Sequence, residues 1–404
     1  MEIRPIFSAL MRSKVSMILI GLQVALTLAI VCNALFIIGQ RLDTMQRPSG
    51  MNEADTFTIH SIGFGEDYDV RSVMNADLAL LRGLPGVLAV APINAMPLSN
   101  SGWNSGLSIE PGQRNSTANT AFYFTDDKGI DAYGAELVAG RNFKPEEIGY
   151  FTMNDRRPPR VTIMTRALAE RMFPDGNAVG GQFYYGDEDN DPATVVGIIE
   201  HLQAPWVGSQ NIDNVMLLPA LLPYGNSSNY LIRAEPGRRD ELMKEVESRL
   251  AASNSSRILR NLRSMQERRA TVYAEDRAMT IILGTVIIAL LGITALGIVG
   301  MASFWVAQRT RQIGTRRALG ATRTDILRYF QTENFIITTL GLIVGGVLAY
   351  AFSLWLMNTY QAPRLPWYYV PVGFVCLWLL GQLAVLGPAL RASRVPPAVA
   401  TRSV

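Results

Sequence analysis

Three adjoining stretches decide how the chain is read: TIILGTVIIALLGITALGIVGMASFWVA (280–307), RTRQIGTRRALGATRTDILRYF (309–330) and NFIITTLGLIVGGVLAYAFSLWLM (334–357). The outer two are apolar runs. At about 1.5 Å per helical residue, each outruns the roughly 30 Å of hydrocarbon in a bilayer. In the connector Arg309, Arg311, Arg316, Arg317, Arg323 and Arg328 face one carboxylate, Asp325. Short loops rich in Lys/Arg stay on the cytoplasmic side, so the connector is expected inside. Gly320 is placed to end a short helix, and Thr322 with Asp325 three residues on to open the next through a capping box. A helix, a sharp break and a second helix entering the bilayer make a lever with a joint. A solvated loop whose arginines fix topology and touch lipid headgroups fits the composition equally.

The segment R-x-R-Q-I-G-x-R-R-A-L-G-A-x-R-x-D-I between two spans resembles the cytoplasmic signature of the FtsX-like and MacB-like ABC transporter permeases, the type VII family. The resemblance implies a coupling helix docked on a separate ATP-hydrolysing subunit. Matched position by position, Arg309, Arg311, Gly314, Arg317, Gly320 and Ala321 are the coupling residues it implies. Four further phrases, GLPGVLAVAP (83–92), ELVAGRNF (136–143), ALAERMFP followed by AVGGQF (167–183), and VVGIIEHL (195–202), are similar to the MacB-type periplasmic core domain and occur in the family's order.

Charge divides the chain. Residues 42–277 hold 23 Lys/Arg against 31 Asp/Glu, and the remainder 14 against 3, so an acidic body is set into a basic, apolar frame. The basic residues lie at span ends, where topology accounts for them, which argues against nucleic acid as a partner. Cys32 and Cys376 both fall in apolar spans, so no disulfide framework is expected and both read as small buried hydrophobes.

The expected fold class is a membrane protein: four transmembrane α-helices with a large α+β periplasmic domain inserted between helices 1 and 2. Residues 1–14 form a cytoplasmic segment, in which Phe7 and Leu10 among basic residues fit an amphipathic surface piece or a frayed tail. Helix 1 spans 15–40; its apolar part is too long for a secretory leader, and no A-x-A site follows. The periplasmic domain spans 41–277. Helix 2 (278–307), the coupling loop (308–330), helix 3 (331–357), a periplasmic link (358–369), helix 4 (370–390) and a cytoplasmic tail (391–404) complete the chain. Trp367, Tyr368 and Tyr369 sit where an interfacial aromatic belt belongs. The tail departs from the family's D-P-x-x-A-L-R ending, with Val395, Pro396, Pro397 and Ala398 instead.

Within the domain, strands are predicted at 56–62, 87–93, 121–124, 161–164, 182–185, 193–199, 214–218 and 229–234, and helices at 70–83, 165–173 and 238–252. LRSMQERRATVYAEDR (262–277), free of Gly and Pro, predicts a helical stalk running unbroken into the second span, with Gln40 to Gln46 mirroring it after the first. LSNSGWNSG (98–106) and PYGNSSN (223–229) read as mobile tips. Trp103, Trp206 and Tyr224 near them either meet a partner or cover their own domain. GDEDNDP (186–192) offers Asp187, Asp189 and Asp191 at alternate positions but lacks the rest of a calcium loop, and a hairpin tip accounts for it. His60 and His201 are isolated, so no metal is expected. In the spans Gly292, Gly297, Gly300 and the Gly341/Gly345 pair permit close helix packing, or reflect ordinary membrane-helix composition. Glu333 is expected to pair with a connector arginine or to reach water.

No G-x-x-x-x-G-K-[ST], G-x-S-x-G or H-E-x-x-H occurs in these residues. With few charges inside the spans, an ion-coupled route is not indicated, and the work is expected to come from an external motor. The expected function is a permease subunit, not itself an enzyme, in the bacterial inner membrane with both termini cytoplasmic. No cofactor is expected on the chain, and ATP with Mg belongs to the partner ATPase. By resemblance, two permease chains pair as a homo- or heterodimer, and nucleotide-driven motion passes to the periplasmic domains. That motion serves efflux of a periplasmic substrate with a periplasmic adaptor and outer-membrane duct, or lipoprotein extraction from membrane lipid, or control of a cell-wall hydrolase.

Overall fold

The computed structural model describes residues 14–152, 155, 158–186, 191–360 and 363–396. The segment around Phe7 and Leu10, Asp187 and Asp189 of the acidic tip, and Pro397 and Ala398 of the tail lie outside these residues. The chain divides into a unit made of 1–45 with 275–404 and an interposed unit, 46–274.

Among the described residues four helices are long and apolar enough to cross a membrane: α1 (Lys14–Gln46), α7 (Ala274–Gln308), α9 (Arg323–Tyr360) and α10 (Tyr369–Ser393). Their shared core gathers Leu28, Cys32, Ile298, Trp305, Ile337, Leu342, Ala349 and Leu377, while Leu22, Ile288, Leu296, Val347 and Leu383 are exposed around it, as a lipid-facing surface requires. The small residues have a specific use. A Cβ on Gly341 would stand 2.7 Å from the Gly21 carbonyl oxygen, and one on Gly345 2.8 Å from that of Ala25, so α9 lies backbone to backbone on α1. Gly300 meets nothing within 4 Å and is ordinary composition. Polar side chains bridge the same helices: Asn33 donates to the Ala29 and Ala349 carbonyls at 2.9 and 3.0 Å, the Thr27 and Thr294 hydroxyls lie 2.8 Å apart, and Asn334 donates to Gly381 at 3.0 Å. In hydrocarbon no water competes for such groups. Cys32 is buried as expected, but Cys376 is exposed: it lies on the outer side of α10, where an apolar thiol tolerates lipid. Trp367 and Tyr368 are exposed before α10, and Tyr369 packs edge-on to Phe36.

The interposed unit carries two sheets. The smaller is antiparallel, in the order β12 (Arg257–Ser264), β1 (Thr56–Gly63), β11 (Ser227–Ala234), β2 (Val87–Pro92). Alternation in β1 and β11 sends Phe57, Ile59, Tyr230 and Ile232 to one face, where α2 (Val70–Arg82) and α5 (Arg239–Ser253) add Met74, Leu78, Leu81, Leu242, Val246 and Leu250. Asp77 within that core pairs with Arg257 at 2.5 Å and accepts from the Tyr230 hydroxyl at 2.8 Å; the Arg257 and Asp77 side chains are 0% and 3% exposed.

The larger sheet runs β4 (Ala118–Thr125), β3 (Trp103–Ser108), β8 (Gln182–Tyr185), β9 (Ala193–Ile199), β7 (Val161–Thr165), β10 (Val215–Leu221), β6 (Gly149–Tyr150). Pairing of β10 back to β4 closes this path, which hides its edges, and β5 (Leu137–Gly140) adds to β9. Phe122, Phe124, Phe183, Val195, Met216 and Leu218 fill its interior, capped by Leu168 and Met172 of α4 (Arg166–Met172). The short α3 (Gly129–Tyr133) stacks Tyr133 on Tyr123.

Besides the burial of Cys376, two expectations are corrected. The 98–106 stretch is not a mobile tip throughout, because Trp103 begins β3 and packs edge-on to Phe124 and Phe151. The stalk is not one helix from Leu262. Leu262 to Ser264 complete β12, Ser264 caps α6 (Met265–Val272) reciprocally with Glu267, and the helix breaks at Tyr273 before α7 begins. After the first span, by contrast, α1 does continue to Gln46.

Candidate coupling site

The connector begins where α7 ends at Gln308. Arg309, the N-cap of α8 (Thr310–Ala318), turns back from solvent: its Nη1 donates to both carboxylate oxygens of Glu333 at 2.9 and 3.0 Å and to the Tyr329 hydroxyl at 3.3 Å. The two side chains are 13% and 1% exposed, so the pair is a buried clamp joining the start of α8 to the first turns of α9. Glu333 thus pairs with a connector arginine.

One face of α8 is apolar. Ile313 is buried against Ile326 and Phe330 of α9 and Ala389 and Ala392 of α10, with Ala321 and Val395 at the margin, and Gly314 beside it in sequence is buried too. Arg317 Nη1 donates to the Val395 carbonyl at 2.6 Å, so α8 is also tied to the exit of the fourth helix. Arg316 covers the Tyr329 ring at 5.0 Å. The joint forms as the letters indicate. Gly320 takes φ +103, a conformation open to glycine, and α8 ends there. Thr322 and Asp325 then cap α9 in both directions: the Thr322 amide and hydroxyl donate to Asp325 Oδ2 at 3.0 and 2.6 Å, and the Asp325 amide donates to Thr322 Oγ1 at 3.2 Å.

The six positions carried over from the family signature therefore divide. Arg309 and Arg317 hold α8 to its neighbours, Gly314 is buried, Ala321 is half-buried, and Arg311 and Gly320 are exposed. Arg311, Thr315 and Leu319 recur at helical spacing on the face opposite Ile313, and Leu319 is 84% exposed. Leu319 escapes a reading by letters, since a leucine before a C-terminal glycine usually packs on its own helix. The available signal was that the packing face of α8 was already supplied by Ile313. None of these groups forms a nucleophile, acid–base pair or metal cluster; among the described residues no set of three His, Cys, Asp or Glu side chains converges to hold a metal.

The model of the "MacB-like periplasmic core domain" matches residues 17–249, more than half of the chain, and that of the "FtsX-like permease C-terminal" matches 284–397, which includes the whole connector. The chain belongs to the MacB-like periplasmic core domain family. Among its relatives, the macrolide export ATP-binding/permease protein MacB of Chromobacterium violaceum is 23% identical over 85% of this chain and 55% of its own length. The probable syringafactin export ATP-binding/permease protein SyfD of Pseudomonas syringae pv. tomato is 22% identical over 86% of this chain and 50% of its own. The chain thus spans about half the length of the curated relatives it matches. The periplasmic region of MacB from Actinobacillus actinomycetemcomitans superposes with a TM-score of 0.33 at 13% identity, over 57% of this chain and 97% of that one. Family membership makes the interposed unit a MacB-like periplasmic core domain set between the first and second of four membrane helices, and the connector part of an FtsX-like permease region.

Proposed function

We propose that this chain is the permease subunit of an ABC-type exporter of the bacterial inner membrane, with termini and connector in the cytoplasm. Two permease chains pair, and a separate ATPase, carrying ATP and Mg, docks on the free face of α8. The clamps around Arg309 and Arg317 then pass its motion into α9 and α10, and the spans deliver it to the periplasmic domains, where a substrate is moved toward an adaptor and an outer-membrane duct. This is mechanotransmission: a two-state element biased by nucleotide, with no path for substrate through the four helices.

One observation carries the reading. α8 is fastened along one side by an ion pair, a buried apolar patch and a hydrogen bond, and on the other presents Leu319 at 84% exposure, about two turns along the same face from the exposed Arg311. An apolar knob on a rigid, basic support suits a protein groove. Copurification of the full chain with its companions, identified by mass spectrometry, should recover an ATPase; Leu319→Glu and Arg311→Glu should lose it while still inserting. Equal recovery by both variants would remove the docking assignment.

Lipoprotein extraction is supported by a separate feature. At the end of the membrane unit where α1 and α7 approach the interposed domain in sequence, a cavity of about 750 Å³ is lined by Phe36, Ile37, Met279, Leu283 and Leu356, with the Arg41–Asp276 pair at its wall. Such a space suits an acyl chain with a polar head. Photocrosslinking of an acylated probe to residues of this cavity would favour extraction over export of a soluble compound.

A further inference from the structure

β12 reads RILRNLRS, with arginines every third residue. In a regular strand Arg260 and Arg263 would point to opposite faces. They do not, because the pairing with β1 shifts: Thr58 stands opposite Arg263 and His60 opposite Arg260, so β12 uses three steps where β1 uses two. The extra residue is taken up around Asn261, whose φ is +53, a left-handed conformation that asparagine tolerates. The bulge thereby aims both arginines at the sheet face that carries Thr58 and His60, away from the apolar core.

A third arginine arrives from α6. Arg268 Nη2 donates to Thr58 Oγ1 at 3.3 Å. Neighbouring arginines are neutralised, Arg257 by Asp77 and Arg269 by Glu53, yet among the described residues no carboxylate forms an ion pair with Arg260, Arg263 or Arg268. The Arg268 Nε and His60 Nε2 atoms are buried without a hydrogen-bond partner. Electrostatic strain registers on both side chains: burial and the Arg263 charge push Arg268 below its usual range, and burial and the Arg260 charge do the same to His60. Like charges gathered by a bulge, with donors left over, favour an anion that can satisfy several of them at once.

We propose that Thr58, His60, Arg260, Arg263 and Arg268 form a binding site for a phosphate-class anion, a phosphoryl or pyrophosphoryl group bearing several acceptor oxygens. Guanidinium forks match such oxygens in pairs, and the Thr58 hydroxyl supplies a neutral donor between them. The same chemistry belongs to a soluble phosphorylated solute and to the headgroup phosphate of a lipid.

The test uses the full chain in maltoside detergent free of phosphate. Sodium pyrophosphate is titrated against sodium chloride at equal ionic strength while the thermal transition is followed, and retention of added phosphatidylglycerol is scored by native mass spectrometry. The same measurements are made on Arg260→Gln/Arg263→Gln. That variant relieves repulsion, so in anion-free buffer its transition should lie at or above that of the parent, which separates loss of binding from loss of fold. A pyrophosphate-specific rise weakened on the order of tenfold or more in the variant supports the site and names a soluble ligand. Phosphatidylglycerol retention lost in the variant supports it and names a lipid. If neither response depends on these arginines, or if chloride stabilises as well as pyrophosphate, the site is overturned.

Discussion

Arg309→Gln should destabilise the membrane unit by about 3–5 kcal/mol, because it leaves a buried carboxylate without its cation. The estimate follows from the geometry: Glu333 is 1% exposed, and both its oxygens receive hydrogen bonds from one guanidinium nitrogen. Removing both charges, as in Arg309→Met/Glu333→Met, should recover most of that loss, since a desolvated pair exchanged for apolar side chains is close to neutral or better. The parent, Arg309→Met, Glu333→Met and the double variant form a double-mutant cycle whose interaction energy should be several kcal/mol, far above the roughly 0.3–0.5 kcal/mol expected of independent sites. Denaturant-dependent tryptophan fluorescence in detergent measures it; Trp305, whose indole lies 6.0 Å from the Arg309 guanidinium, is a local reporter. The same cycle read as ATPase recovery separates clamping from docking: the double apolar variant should keep its companion, whereas Arg311→Glu should not. A single Arg309→Gln within about 0.5 kcal/mol of the parent, or an additive cycle, would refute the clamp.

Gly345→Ala should cost about 1–3 kcal/mol, because its Cβ would stand 2.8 Å from the Ala25 carbonyl oxygen, while Gly300→Ala, with nothing within 4 Å, should be neutral; thermal melts of the two variants check this. Arg257→Met should cost about 3–5 kcal/mol by stranding Asp77, visible as a lower denaturant midpoint, and Arg257→Met/Asp77→Leu should regain most of it. His60 titrates below its usual value of 6.5 because burial and the Arg260 charge disfavour the cation. Its contribution to stability is therefore present above about pH 6.5 and lost as pH falls through the lower folded value. With two histidines in the chain, NMR of the imidazole protons resolves this directly, and Arg260→Gln should move the His60 midpoint upward.

The membrane unit was legible because hydrocarbon demands long apolar runs, and those runs carry their own length and punctuation. Gly341 and Gly345 left close packing and ordinary composition both open, and only the fold shows that Gly21 and Ala25 of α1 receive them. Reading failed where pairing overrode local preference. LRSMQ at 262–266 is good helix composition, but its first three residues complete β12 against Phe57 and Thr58. Trp103 sits among Asn, Gly and Ser, and its burial against Phe124 and Phe151 depends on strands distant in the chain. At the connector, the joint at Gly320 and the Thr322–Asp325 cap are local chemistry and are legible in the letters. The division between clamped and free residues was not, because it depends on Phe330, Ala389 and Val395 folding back on α8.

The proposed motion enters at the free face of α8 and leaves through the periplasmic domain. Its most direct test is a distance. With Cys32 and Cys376 replaced by serine, a spin label at Gln210→Cys in each of two permease copies, in nanodiscs with the ATPase, reports the separation of the periplasmic domains by pulsed EPR. The separation should change when ATP and Mg are added, and should stop responding in Leu319→Glu, although that variant inserts and folds. A parent complex whose distance ignores nucleotide, or a Leu319→Glu complex that responds as fully as the parent, would contradict it.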